Sequence, residues 1–322
     1  MARQKAGKVG ENKSEIVRGV PMACADESAA VEFMERRRWG DTPCCPRCGD
    51  TDVYQMKNRK TGQREAGYRW RCRGCGKQYS VRTGTVLEES RIPVRHWCYA
   101  LWAACASKKG VSAKQIQRQT GVSYKSALFM MHRIRWAMTR SDDGPKLSGT
   151  VEVDETYVGG KPRYKGWTAG GPKARKKWSD KTRVVGMVER GGSVRAEVSQ
   201  GVTVKNLAAC VREHVDRSSR LMTDENRAYN RVGPEYASHE KVTHSRGEYA
   251  RGDVTTNTVE GFFSLIKRGI YGTYHAVSKK HLHRYITEFE FRYNHRAIDD
   301  GARLEALIRS GEGKRLTYRQ PI

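Results

Sequence analysis

Two Cys-x-x-Cys pairs set the first limit on what this chain can fold into. Cys45 and Cys48 stand in CPRCG, Cys72 and Cys75 stand in CRGCG, and 23 residues separate the pairs. Four soft thiolates at this spacing form a tetrahedral zinc site once a hairpin brings the two knuckles together, and Gly49 and Gly76 permit the tight turn behind each knuckle. The runs DVYQMKN and GYRWRC between the pairs alternate as strands do, so residues 43–82 read as a zinc ribbon holding structural Zn2+. Cys44 competes with its neighbour, but the CPxCG spacing favours Cys45. A disulfide framework is the other use of paired cysteines, and a cytosolic compartment disfavours it. Cys24, Cys98, Cys105 and Cys210 stand alone among apolar residues and read as buried thiols.

Charge narrows the partner. The 322 residues carry 61 Lys and Arg against 35 Asp and Glu, a formal net charge of +26. Such an excess attracts any polyanion through counterion release, and nucleic acid is the leading partner. No run approaches the roughly 18 apolar residues of a membrane span, and the basic start lacks the apolar core of a secretory signal. The expectation is a cytoplasmic protein acting on DNA, with neither a membrane nor a small-molecule substrate.

Composition and periodicity divide the chain into a disordered basic tail (1–20), a short helix plus the ribbon (21–82), a helical region (83–140), an α/β domain (148–300) and a C-terminal tail (301–322). The short helix runs from an N-cap at Asp26 to Arg38. Another covers 96–106. Ser112 then opens a helix that ends at Gly121, and Ser123 caps a longer basic one. A short helix, a Gly-containing turn and a basic helix suit a helix-turn-helix, with Tyr124, Lys125 and Arg133 as candidate DNA contacts, although any small helical bundle has such turns.

Beyond the linker SDDGPKLSG (141–149), strands are expected at 150–158, 182–190 and 193–200, then a helix at 204–215, strands at 220–224 and 241–245, and a helix at 258–270. That order describes a mixed α/β sheet. Asp154 interrupts the first strand, Asp224 closes the fourth, and Glu260 opens the last helix with 35 residues between it and Asp224. Three such carboxylates can converge at a sheet edge and hold two hard divalent cations for phosphodiester chemistry. Glu155 points to the opposite sheet face, Glu152 shares the face of Asp154, and Glu225 follows Asp224 as another competitor. Asn257 lies one turn before Glu260 and competes for the third ligand position, while Lys267 lies two turns after it and could contact phosphate. The stretch 160–181 holds eight Lys and Arg against one Asp, interleaved with Tyr164, Trp167 and Trp178. It reads as a DNA-holding loop, with Lys173, Arg175, Lys176 and Lys177 as candidate contacts.

VEVDETYVGGK (151–161), MTDENRAY (222–229), NTVEGFFSLIKRGIYGTYH (257–275) and HLHRYITEFEFRYNHR (281–296), behind the CPRCG ribbon, resemble bacterial insertion-sequence transposases of the DDE superfamily, in the zinc-ribbon branch related to Merlin elements. The resemblance runs in order from about residue 20 to 300. It implies a ribonuclease-H-like catalytic domain with Asp154, Asp224 and Glu260 as the triad and Lys267 as the accompanying base. It further implies two Mg2+ ions with Mn2+ as a substitute, DNA element ends and target as substrates, and at least a dimer on nucleoid DNA. Phe263 stands where many relatives carry Trp, and Thr255 where His is common. Two rival readings are a DNA-binding regulator built on the ribbon and helix-turn-helix, and a ribonuclease-H-like nuclease that cuts without joining.

Overall fold

The computed structural model describes residues 15–140, 144–159, 167–168, 171–172, 181–199 and 203–317. It comprises two compact units, one formed by Met1–Thr139 with His295–Ile322 and the other by Arg140–Asn294.

The first unit begins with α1 (Glu15–Ala25) and α2 (Glu27–Trp39). Residues 15–20, expected in the disordered tail, are helical because Val20 and Ala23 bury against α2 and the next long helix. Asp26 caps α2 as expected, accepting the Ala29 N–H at 2.8 Å. The strands β1 (Val53–Gln55), β2 (Trp70–Cys72) and β3 (Gln78–Tyr79) form an antiparallel sheet in sequential order. This ribbon is tied to α2, not merely tethered to it. Buried Glu35 accepts Trp70 Nε1–H at 2.7 Å and pairs with Arg64, and Trp39 meets Trp70 and Tyr79 edge-on at 5.9 and 5.8 Å.

Three helices follow: α3 (Val94–Ala106), α4 (Ala113–Thr120) and α5 (Tyr124–Ala137). Ser112 accepts the Gln115 N–H and Ser123 the Ser126 N–H, both at 3.1 Å, and Gly121 ends α4 at φ 76°. Arg133, expected to face DNA, instead turns inward. It lies on the buried side of α5 with Met130, Ile134 and Ala137, and its Nη1 donates to the carbonyls of Val86 and Glu88 at 3.0 and 2.9 Å.

The second unit is built on a five-stranded sheet. Its strands are β4 (Thr150–Val158), β7 (Thr182–Glu189), β8 (Val194–Ser199), β9 (Arg220–Thr223) and β10 (Ser238–Lys241), and a two-residue ladder, β5 (Trp167–Thr168) with β6 (Gly171–Pro172), interrupts the sequence. The spatial order is β10-β9-β4-β7-β8. The first three strands of the sheet in sequence run as an antiparallel meander, while β9 and β10 lie parallel on the other side of β4. The fifth strand is SHEK at 238–241, not the expected 241–245, because the amides of His244 and Ser245 are taken by the Glu225 carboxylate and bend into a 3-10 turn.

Two layers cover this sheet. Helices α6 (Val204–His214) and α7 (Tyr229–Val232) pack with Val151, Val153, Val185 and Leu221. On the other face, α8 (Asn257–Gly269) and α9 (Leu282–Asn294) pack with Val158, Val184, Val188 and Val194. A short hairpin, β11 (Ala250–Arg251) with β12 (Val254–Thr255), leads into α8.

The chain then returns to the first unit as α10 (Asp300–Ser310), where a tail was expected. Asp299 caps this helix, and Leu304, Leu307 and Ile308 lie three and four residues apart and pack on α2 and α3. Leu307 has 0% exposure, so Leu307→Ala should lower the unfolding free energy by about 2–5 kcal/mol in denaturant titrations followed by tryptophan fluorescence. A position in a solvated tail would change it by less than about 0.5 kcal/mol.

Candidate active site and metal centre

Asp154 and Asp224 leave neighbouring parallel strands at one level, since Val153 pairs with Thr223 and each carboxylate follows directly. On its other side Asp154 is in register with Gly186 of β7. A β-carbon at 186 would lie 2.6 Å from Phe263 Cε1 and 3.1 Å from Val259 Cγ2, so the bare glycine backbone is what admits α8 this close to the sheet. Glu260 follows Val259 at the helix margin.

The charges of Asp224 and Glu260 are both felt at Asp154. The Asp154 carboxyl is pushed up to about 7, first by burial and further by Asp224, Glu155 and Glu260, against an opposing bond from the Glu155 N–H. Asp224 is raised mainly by burial; the Asn226 N–H opposes this, Glu225 adds to it, and His244 and Arg183 relieve it. Two part-buried carboxylates, Asp154 and Asp224, with the exposed Glu260 carboxylate felt at Asp154, are oxygen donors of the kind a hard divalent cation takes. Glu260 Oε1 also accepts from Thr256 Oγ1 at 3.0 Å and lies 3.8 Å from His244 Nε2.

The competing acids are all engaged elsewhere. Glu152, with 0% exposure, takes Arg190 Nε–H at 2.6 Å, the Thr258 N–H at 2.7 Å, Thr258 Oγ1–H at 2.9 Å and the Val259 N–H at 3.1 Å. Glu155, on the opposite face as expected, binds Tyr229 Oη–H at 3.0 Å, Asn226 Nδ2–H at 3.2 Å and Arg183 Nη2 at 3.2 Å. Glu225 holds the His244 and Ser245 amides at 2.8 and 3.0 Å. Asn257 is exposed in the first turn of α8 and Lys267 is exposed further along it. Tyr124 and Lys125 are exposed at the start of α5. Lys173, Arg175, Lys176 and Lys177 lie outside the described residues.

His244 was not anticipated from sequence, which placed it in a strand. A lone His thirteen residues ahead of a helix carries no periodic signal; Glu225 accepts its N–H, and its Nε2 lies 3.3 Å from Thr256 Oγ1 beside Glu260.

In the first unit, Cys45, Cys48, Cys72 and Cys75 gather their sulfurs within 4.8 Å of one another, with Cys45–Cys75 at 3.7 Å and Cys48–Cys72 at 3.6 Å. Gly49 and Gly76 adopt φ of 77° and 68°, the left-handed turn each knuckle needs. The Cys75 thiol is lowered to about 7, first by the Lys77 N–H. Four thiols backed by amides fit a structural zinc ion. Cys44 stands outside the set. Among the described residues, Glu197, Cys210 and His214 form a second close group, joined by a 2.6 Å contact between His214 Nε2 and Glu197 Oε1. Asp154, Asp224 and Glu260 are not gathered as closely as either group.

A family model for the ISXO2-like transposase domain matches residues 146–294, ending with the second structural unit, and a model for the transposase zinc-ribbon domain matches residues 25–78. The chain belongs to the ISXO2-like transposases. It is also similar to a Halobacterium salinarum protein described as an uncharacterized protein in transposable element ISH50, with 28% identity over 277 residues covering 83% of this chain and 90% of the relative. In this transposase, no helix among the described residues is long and apolar enough to cross a membrane.

Two outcomes test these sites. Gly186→Ala should force α8 off the sheet, lowering thermal stability and strand cleavage together; unchanged melting would show that the close approach is not tight. Cys72→Ser should cut zinc content, measured by mass spectrometry of the purified chain, while Cys44→Ser leaves it at the wild-type level.

Proposed function

We propose that the chain is a DNA transposase that binds the terminal inverted repeats of its element and carries out divalent-metal-dependent cleavage and strand transfer. The observation that carries this reading is the placement of Asp154 and Asp224 at one level on adjacent strands, with Glu260 near enough for its charge to be felt at Asp154. The strand arrangement, a three-strand antiparallel meander with two parallel strands added beside the first, supports a ribonuclease-H-like catalytic domain.

Asp154, Asp224 and Glu260 would hold the Mg2+ ions, with Mn2+ as a substitute, and the cations would activate an attacking oxygen and stabilise the leaving one. The chain's own groups supply the rest. Burial of Asp154 and Asp224 strengthens their interaction with any charge placed between them. Thr256 Oγ1 orients Glu260 by donating to it. Lys267 lies on the same side of α8 as Glu260, seven residues on, and is exposed to meet a phosphate. Water attack frees a 3′ hydroxyl, which then attacks target DNA, each displacement passing in line through phosphorus.

DNA is held elsewhere by cations. The capped α4–α5 pair supports a helix-turn-helix that presents Tyr124 and Lys125, the ribbon holds structural Zn2+, and Lys173, Arg175, Lys176 and Lys177 belong to the basic stretch proposed to grip strands. Joining two element ends calls for at least a dimer on DNA, and the working location is the nucleoid.

Asp154→Ala should abolish cleavage of terminal-repeat DNA in Mg2+ while leaving DNA binding near the wild-type level. Compared side by side, Glu260→Ala should be inactive and Asn257→Ala active. Cleavage by Asp154→Ala would overturn the mechanism, and loss confined to Asn257→Ala would reassign the third ligand.

A further inference from the structure

We propose that the two acids flanking Asp154 are positioning residues for the other two members of the triad, Glu152 for Glu260 and Glu155 for Asp224. The proposal rests on the assignment of those three carboxylates as metal ligands.

Alternation along β4 sends Glu152 to the α8 face and Glu155 to the α7 face. At the start of α8, Thr255 Oγ1 takes the Asn257 N–H, but Thr256 makes no capping bond to the first turn and its hydroxyl is turned instead onto Glu260. Glu152 does the capping from the sheet, accepting the Thr258 and Val259 amides, and its charge complements the positive helix end. Arg190 closes the arrangement, donating to Glu152 through Nε and to the Thr255 carbonyl through Nη2 at 3.1 Å. Glu260 is the next residue along, so its place relative to Asp154 is fixed through two main-chain bonds to the residue two positions before Asp154.

Glu155 performs the matching task for the turn after β9. It holds Asn226 and Tyr229, and the Asn226 N–H donates to Asp224 Oδ1 at 3.0 Å while its Oδ1 accepts the Ala228 N–H at 3.0 Å. Each anchor has its own arginine, Arg190 for Glu152 and Arg183 for Glu155. The sequence Glu152-Val153-Asp154-Glu155 thus contributes one ligand and two struts that bring the remaining ligands to it.

The test uses full-length protein with Glu152→Gln and Glu155→Gln, which keep shape and lose charge. Melting temperature, residue-resolved amide exchange without metal, and cleavage of terminal-repeat DNA across a Mg2+ titration are measured. Glu152→Gln should speed exchange at Thr258 and Val259 and raise the half-saturating Mg2+ concentration by about tenfold or more, as loss of a group orienting a ligand does. Half-saturating DNA should stay unchanged, and high Mg2+ should restore much of the rate. Glu155→Gln should raise half-saturating Mg2+ similarly and loosen the amides of Asn226 and Ala228. Unchanged metal half-saturation, with or without lower melting temperature, overturns the proposal for that residue. Complete loss at every Mg2+ concentration, matching Asp154→Asn, also overturns it by making the residue a ligand. Cleavage by Asp154→Asn would sink the triad assignment instead, and the metal-free exchange data would still report on the two anchors.

Discussion

Burying an ionised carboxylate is costly unless it is paired and hydrogen-bonded, and Glu152 meets that condition with four donors drawn from β7's end and the first turn of α8. The placement of α8, which carries Glu260 and Lys267, depends on this contact, because Thr256 makes no side-chain capping bond and Thr255 Oγ1 takes only the Asn257 N–H. The same device recurs in the first unit. Pro93 precedes α3 and offers no side-chain cap, and Glu27 of α2 accepts the Val94 and Arg95 amides at 2.7 and 3.1 Å. Helices α2, α4, α5, α6 and α10, by contrast, are capped locally by Asp26, Ser112, Ser123, Thr203 and Asp299. Remote glutamates act where local capping is missing, and each one joins two elements in doing so.

This changes what the net charge of +26 means. Part of the cationic surplus is structural. Arg133, Arg183, Arg195 and Arg292 are buried, and they satisfy carbonyls or pair with carboxylates. The acids are likewise drawn inward, with Glu35, Glu152 and Glu288 buried beside arginines. Among the described residues six arginines but three glutamates are buried, so the interior takes up a few of the surplus cations and leaves most of them outside, where polyanion attraction operates. Arg133 shows the limit of reading DNA contacts from charge on a basic helix: a guanidinium on the inner face finds carbonyls before it finds phosphate.

Elements with local signals were legible in the sequence. The knuckle glycines, the caps at Asp26, Ser112 and Ser123, the hairpin at 191–192 and the alternation in β4 all depend on residues within a few positions of one another. What escaped depends on distant partners. The helices α1 and α10 read as tails at the chain's ends, α1 with Pro21 in its interior, and they form by packing with α2 and α3 within one core. β10 was displaced by three residues because Glu225 captures amides nineteen and twenty positions away. The acids around Asp154 were visible as rivals for a metal, but their donors lie on β7, α7 and α8, and no spacing rule predicts those partners.

The rotation of α8 bears on the choice between Asn257 and Glu260. Val259, Phe262, Phe263 and Ile266 form the buried stripe, and Gly186 fixes where that stripe meets the sheet by admitting Phe263. Asn257, Glu260 and Lys267 therefore run along one margin of the helix at spacings of three and seven residues. Position along that margin separates them. Glu260 is one residue beyond the Val259 amide that Glu152 grips, it receives the Thr256 hydroxyl, and its charge is felt at Asp154. Asn257 sits a turn earlier, where its own N–H is turned back onto Thr255 Oγ1 at 3.1 Å. A carboxylate also brings the charge that offsets a divalent cation, which an amide does not. Both the position along the helix and the balance of charge favour Glu260 over Asn257 as an oxygen donor beside Asp154, with Lys267 two turns further along the same margin.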